Sequence, residues 1–162
     1  MAHTARVTAQ GYVERLRPPF WWWLIAFGLW ASVAVAVWAY LGPWWAALAT
    51  GAVMAATGAL ILQQSLTVRV DADGFHAGRN LLEWPWLASA HPLQAAGTRS
   101  YLSSADHHDD FFAVRPYATA ALVLVLDDPA DRHPRWVVSS ARPDRLAAAV
   151  AAHGVPVGDL DD

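Results

Sequence analysis

PPFWWWLIAFGLWASVAVAVWAYLGPWWAALATGAVMAATGALILQQSLTV, residues Pro18 to Val68, contains no charged side chain, and Leu41-Gly42-Pro43 divides it into two halves. The first half runs from Phe20 to about Tyr40 and the second from about Trp44 to Leu62. At 1.5 Å per residue each would span roughly 28–30 Å, the thickness of a hydrocarbon core. Tryptophan stands at both ends: Trp21, Trp22 and Trp23 at one, Trp38, Trp44 and Trp45 with Tyr40 at the other. On one helix Trp22 and Trp38 would lie roughly 24 Å apart, about the separation of two headgroup layers. Indole is favoured there because its ring is apolar while its N–H still needs a polar partner.

Arginine sets the expected orientation. Arg6, Arg15 and Arg17 precede the run and Arg69 and Arg79 follow it, whereas the turn from Tyr40 to Trp44 carries no charge. Positive charge at the outer ends places both termini in the cytoplasm of a multi-pass plasma-membrane protein. The run is too long for a cleaved signal peptide, and a second span follows at once. Gly28, Ser32 and Ala36, with Ala47, Gly51, Ala55 and Ala59, recur every four residues. Small residues at that spacing let helices approach closely in lipid, either within the hairpin or in a homo-oligomer. Gly-Pro suits the tight turn between the helices, because proline cannot continue the first.

The sequence thus divides into an N-terminal tail (1–19), a two-helix hairpin (20–64), a small domain (65–155) and an acidic tail (156–162). From residue 65 onward eight arginines face thirteen acids, a net of −5 within a chain total of −3. That balance argues against nucleic acid and against docking on anionic lipid.

Within the small domain, Leu66-Thr67-Val68-Arg69-Val70 alternates as a strand, and Asp73-Gly74 is a hairpin turn that leads to a return strand over 75–78. Residues 82–87 read as another strand, placed at an edge by Pro85. On that strand Trp84 and Trp86 would share a face as an aromatic contact patch. Residues 94–110 read as a loop with at most one helical turn. Strands follow at 111–114, at 120–126 and at 135–139. The middle one is continuously apolar, which fits burial on both faces. Pro143, Asp144 and Gly154 frame a terminal helix. The fold class is α+β: a transmembrane hairpin, then a mostly antiparallel β domain of pleckstrin-homology-like barrel form with a C-terminal helix. An unspecified α+β sandwich is the alternative.

The run Glu14-Arg15-Leu16-Arg17-Pro18-Pro19-Phe20-Trp21-Trp22-Trp23 resembles the opening of the actinobacterial DUF3093 family of uncharacterised membrane proteins, and Gly42-Pro43-Trp44 resembles its turn. Val114-Arg115-Pro116-Tyr117, Asp127-Asp128-Pro129-Ala130-Asp131 and the block from Pro134 to Pro143 resemble its later segments. The closing block departs at Arg135, where tyrosine is usual. The likeness spans about residues 12 to 152 and implies an integral membrane protein without an assigned activity.

Chemistry is constrained mainly by what is missing. The chain has no cysteine, which removes disulfides, thiol catalysis and thiolate-bound zinc. It has no lysine, so a P-loop and Schiff-base chemistry are also out. Asp71-x-Asp73-Gly74 begins like a calcium loop, but Phe75 and Leu82 stand where ligands are needed. No cofactor motif is present. His107, His108 and Asp109 are the weak candidates for a metal, because imidazole and carboxylate suit zinc or manganese; adjacent side chains, however, diverge. Arg115 and Arg142, each beside a proline, are expected to pair with Asp127, Asp128 or Asp131, or to hold a phosphate or a partner's carboxylate. Two function classes follow. The first is a non-enzymatic membrane-anchored module that binds a protein partner or a second copy. The second is an enzyme or enzyme subunit acting on a membrane-associated substrate through residues 106–110.

Overall fold

A computed structural model describes residues 11–160. Arg6 and the last two aspartates of the acidic tail lie outside the described residues. Arg17–Ser65 form one compact unit, and residues 11–16 together with 66–160 form the other.

The first unit is a helical hairpin of α1 (Phe20–Leu41) and α2 (Pro43–Gln63). Both helices are long and apolar enough to cross a membrane. Gly42 joins them at φ +88°, a conformation that L side chains rarely adopt, and Pro43 begins α2 where an N–H would have had no helical partner. Ala26, Ala46 and Ile61 are buried, and Trp30, Val33 and Val37 of α1 are half-buried, as are Thr50, Val53 and Thr57 of α2. Steps alternating between three and four residues place these on one seam of each helix. The small-residue stripes are not that seam. Gly28, Ser32, Ala36, Ala47, Gly51, Ala55 and Ala59 are all exposed, and a Cβ added at Gly28 or Gly51 would meet nothing within 4 Å. The reason is angular: residue 28 stands about 200° around the helix from residue 26.

The second unit contains two four-stranded sheets. The first has the order β1 (Tyr12–Leu16), β2 (Leu66–Val70), β3 (Gly74–Ala77), β4 (Asn80–Glu83), all antiparallel. The second comprises β5 (Leu87–Leu93), β6 (Phe111–Ala113), β7 (Ala120–Leu126) and β8 (Arg135–Ser140), in the order β5-β7-β8-β6 with β6 parallel to β8. The expected barrel does not close: the two sheets remain separate, each open-edged among the described residues. α3 (Ala95–Ser103) connects β5 to β6, and α4 (Pro143–Ala151) follows β8.

The main core forms where Val68, Val70 and Phe75 of the first sheet meet Leu122, Leu124, Trp136 and Val138 of the second, joined by Leu146 and Val150 of α4. On the second sheet's other face Ala121, Val123 and Val137 pack with Tyr101 of α3. Alternate residues of β7 therefore enter different cores, which is why the strand is apolar throughout.

Several elements differ from the sequence expectation. Tyr12–Leu16, read as tail, is a full strand whose Leu16 pairs with Leu66 across the whole hairpin. Residues 82–87 are not one strand. β4 ends at Glu83, and Trp84–Trp86 form a 3₁₀ turn, a step favoured by Pro85, which has no N–H to give a ladder. Residues 95–103 form α3 rather than a loop. Residues 156–158 dock on the edge of β5: Ala90 N donates to Pro156 O at 2.9 Å and Val157 bridges Ala90. The His91 ring fixes this segment, donating from Nδ1 to Gly158 O at 3.0 Å and accepting at Nε2 from the Ser89 hydroxyl at 2.8 Å.

Candidate functional site

The histidine and aspartate cluster folds into a buried carboxylate knot. A 3₁₀ turn at Ala105–His107 swings the chain so that Asp110 points inward, with its side chain 0% exposed. Its carboxylate accepts from the Tyr101 hydroxyl and, at 3.0 Å, from Arg135 Nε. The His107 ring stacks flat on Tyr101 at 3.7 Å between centroids, and Arg135 lies over the same tyrosine at 5.8 Å. His107 Nδ1 is 3.7 Å from Asp110 Oδ2, too far for a hydrogen bond, so the contact is electrostatic only. Burial and the Asp110 carboxylate both push the Tyr101 hydroxyl pKa upward.

His108 and Asp109 are exposed and meet each other at 3.2 Å. His133 points elsewhere, donating from Nδ1 to Asp109 O at 2.8 Å. Among the described residues no three histidine or acidic side chains converge as metal ligands. A mixed cavity of about 360 Å³ adjoins the knot and is lined by Leu93, Ser100, Tyr101, Ser104, His107 and Leu160.

The tryptophan pair separates. Trp84 Nε1 donates to Asp71 O at 3.1 Å and Ala72 O at 3.2 Å, and its ring stacks on His153 at 4.2 Å. It staples the β2–β3 turn to the end of α4. Trp86 is 41% exposed, and Leu81 on the edge strand β4 is 43% exposed. The aromatic patch expected of both tryptophans is therefore carried by Trp86 alone. In the same turn, burial raises the Asp71 pKa, but the His76 ring, the Asp73 amide and Arg69 outweigh it and hold the carboxyl below its usual value.

The expected arginine ion pairs do not form. Arg115 donates from its backbone N–H to Ser139 Oγ at 2.9 Å and from Nη1 to Val114 O at 3.2 Å, while its Nε is buried without an acceptor. Arg142 donates from its backbone to Ser140 Oγ at 3.0 Å, and its side chain is exposed. Asp127, Asp128 and Asp131 lie in the β7–β8 turn, whereas both arginines lie at the opposite ends of those strands.

The sequence reading did not single out Glu14. Its Oε2 accepts from Ser140 Oγ at 2.7 Å and the Tyr12 hydroxyl at 3.0 Å, and its Oε1 accepts from Ala141 N at 2.7 Å. Tyr117 adds a bond from its hydroxyl to Leu16 O at 3.1 Å. Burial first, then Glu14, push the Tyr12 pKa up to about 12. A lone carboxylate in a strand beside an apolar run gives no sequence signal for this clasp. In the helical unit, a groove of about 370 Å³ opens between Trp21, Trp22 and Ile25 of α1 and Thr57 and Leu60 of α2, with Gln64 just beyond that helix. The six sequence-assigned interface tryptophans include four that are exposed: Trp21, Trp38, Trp44 and Trp45. Trp22 and Trp23 are half-buried.

The family model for proteins of unknown function DUF3093 matches residues 11–150. The chain belongs to the DUF3093 family. The match begins at β1 and runs into α4, so both helices and both sheets are DUF3093 elements, as is Glu14 with its partners Ser140 and Ala141. No curated protein and no solved structure matches the chain.

Proposed function

We propose that the protein is a membrane-anchored interaction module, with the hairpin crossing the plasma membrane twice and the two-sheet domain and both termini in the cytoplasm. The pairing of Leu16 with Leu66 carries this reading. The apolar hairpin is an insertion between adjacent strands of one sheet, so its two ends share a compartment, and two crossings satisfy that where one cannot. Arginines on both flanks and none in the turn favour the cytoplasmic side. The exposed tryptophans at both helix ends suit two headgroup layers.

Recruitment of a protein partner is the role that fits the surface. Leu81 on the edge strand β4 and Trp86 in the turn that follows it present exposed apolar groups, and a strand or loop of another protein can add at such an edge. The enzymatic alternative through residues 106–110 would have to act with a carboxylate that is already engaged. Asp110 is consumed by Tyr101 and Arg135, and His107 and His108 do not converge.

The absence of native cysteine makes a labelling test clean. Tyr40→Cys, in the turn, is expected to react with an impermeant maleimide on intact cells, and Asp128→Cys only after permeabilisation. The reverse pattern, or both sites reacting from outside, sinks the topology. For the partner, a photo-crosslinking residue at Trp86 should yield a discrete adduct that the same residue at Arg132 does not. Identical adduct patterns at the two sites would remove Trp86 as the contact.

A further inference from the structure

The charge of the β domain is segregated along its strands. β7 and β8 pair so that Ala120 lies opposite Ser140 at one end and Val125 opposite Arg135 at the other. The Ser140 end is tied to β1 by Glu14 and by the Tyr117 bond to Leu16 O, so it is the end where the chain leaves for α1 and returns from α2. The opposite end gathers three turns. Asp127 N donates to Trp86 O at 2.9 Å, and Trp84 Nε1 donates to Asp71 O at 3.1 Å. Those turns carry Asp71, Asp73, Asp127, Asp128 and Asp131.

The helix-bearing end is arginine-rich. Arg15 lies opposite Thr67 in β1, and Arg79 lies in the β3–β4 turn, next to Gly78, whose N–H donates to Thr67 O. Arg115 follows β6 and Arg142 follows β8. Arg99 shares a cavity of about 330 Å³ with Pro116, Ala118 and Thr119 in the loop that begins β7. Ion pairs form at Arg69 and Arg135 but, among the described residues, at none of these five. The acids at this end are already engaged: Glu14 by its three donors, and Asp144 by Gln94 Nε2 at 3.0 Å.

We infer that this end of the domain is a docking surface for anionic phospholipid headgroups, with Arg15, Arg79, Arg99, Arg115 and Arg142 as its cations. The inference rests on the membrane-anchored reading above. It also reverses the expectation from net charge: the domain is acidic overall, but its acids stand at the far end, beyond the roughly 8–10 Å over which salt lets charges act. Guanidinium groups without carboxylate partners retain fork-shaped donor pairs that match phosphate oxygens. The Asp-rich turns and Trp86 lie at the opposite end of the domain from these arginines.

The test uses the full chain in mild detergent, titrated with phosphatidylglycerol and with phosphatidylcholine, bound lipid being counted by native mass spectrometry. The wild type should prefer phosphatidylglycerol, and the preference should collapse in 1 M salt. Arg99→Gln/Arg142→Gln removes two exposed arginines whose side chains make no bond within the fold. At about fivefold per arginine it should weaken phosphatidylglycerol binding roughly 25-fold and leave phosphatidylcholine unchanged. Arg132→Gln, at the opposite end, should bind like the wild type. Equal affinity of the wild type for the two lipids, a preference that survives 1 M salt, or a double variant that binds like the wild type would each overturn the inference. Resistance of the wild type to alkaline carbonate extraction, measured in parallel, reports the anchoring reading separately.

Discussion

Replacing Glu14 by alanine should release β1 from the domain. The carboxylate ties this strand to the end of β8, and it accepts three hydrogen bonds, two of them at 2.7 Å. The three donors differ in what they lose. Tyr12 is half-buried and Ala141 exposed, so water can replace part of what Glu14 gave. Ser140 is 0% exposed, and its hydroxyl loses its carboxylate acceptor, keeping only the Tyr12 hydroxyl beside it. A hydrogen bond to a charged group contributes about 1.5–3 kcal/mol, and an unsatisfied buried donor costs about 1–3 kcal/mol. Allowing for rehydration of the outer two, Glu14→Ala should cost about 2–4 kcal/mol. Glu14→Gln, which still accepts from Ala141 and can donate to Ser140 Oγ, should cost about 1 kcal/mol. The appropriate readout is hydrogen exchange on the full chain in detergent. Opening of residues 12–16 should become roughly 30- to 700-fold more frequent in the alanine variant, at 1.4 kcal/mol per tenfold. Ser140→Ala made on top of Glu14→Ala should cost little more, because the two share one interaction. If exchange in β1 stays within about threefold of wild type, the clasp is not what holds the strand and the reasoning fails.

Removing the buried carboxylate at the other end, Asp110→Ala, strands Arg135 and Tyr101 and should destabilise the domain by about 3–5 kcal/mol, seen as a lowered unfolding midpoint; a loss below 1 kcal/mol would mean the knot is solvated. Alkaline pH should unfold the domain through its tyrosines. Tyr12, Tyr101 and Tyr117 all have raised pKa values in the fold, so their contribution is complete below about pH 10 and is lost as pH rises through the folded values, for Tyr12 about 12. A thermal midpoint that is flat to about pH 9.5 and falls above it is the expected profile, and one that does not fall above pH 10 contradicts it. In the hairpin, Ala46→Leu forces bulk into the buried seam and should cost about 1–3 kcal/mol, whereas Gly51→Leu faces open space and should leave the midpoint unchanged in detergent; equal effects would place the seam elsewhere.

Local signals accounted for most of what the sequence revealed. The uncharged run, the Gly42-Pro43 break, the alternation from Leu66 to Val70 and the solid apolar β7 each carry their meaning within a few residues. β1 could not be read that way. Its partner begins 50 residues later at Leu66, and two charges in five residues beside an apolar run look like a tail. α3 was hidden by composition: Gly97, Thr98, Ser100 and Ser103 are weak helix formers, and tertiary burial of Thr98 and Tyr101 decides the outcome. The candidate site was hidden by distance. Asp110 joins Tyr101, nine residues earlier, and Arg135, 25 residues later, and no spacing rule connects them. Arg115 and Arg142 stand out beside their prolines, but the strand directions carry Asp127, Asp128 and Asp131 to the far end of the sheet.

The insertion of the hairpin between β1 and β2 also imposes an order of assembly. During synthesis β1 emerges first, yet its partner strand appears only after both helices have been made, and Ser140 and Ala141 come later still. Left as a floppy loop, Arg17–Ser65 would oppose that pairing by about 3–4 kcal/mol of closure entropy. Packing of the two helices lowers that cost, because the first turns of α1 and the last turns of α2 already line one groove. Completion of the first sheet is therefore favoured in a chain whose helices have already turned back on themselves. A molecule in which β1 stayed unpaired would have an unfilled edge at β2 and a Ser140 hydroxyl without its carboxylate acceptor.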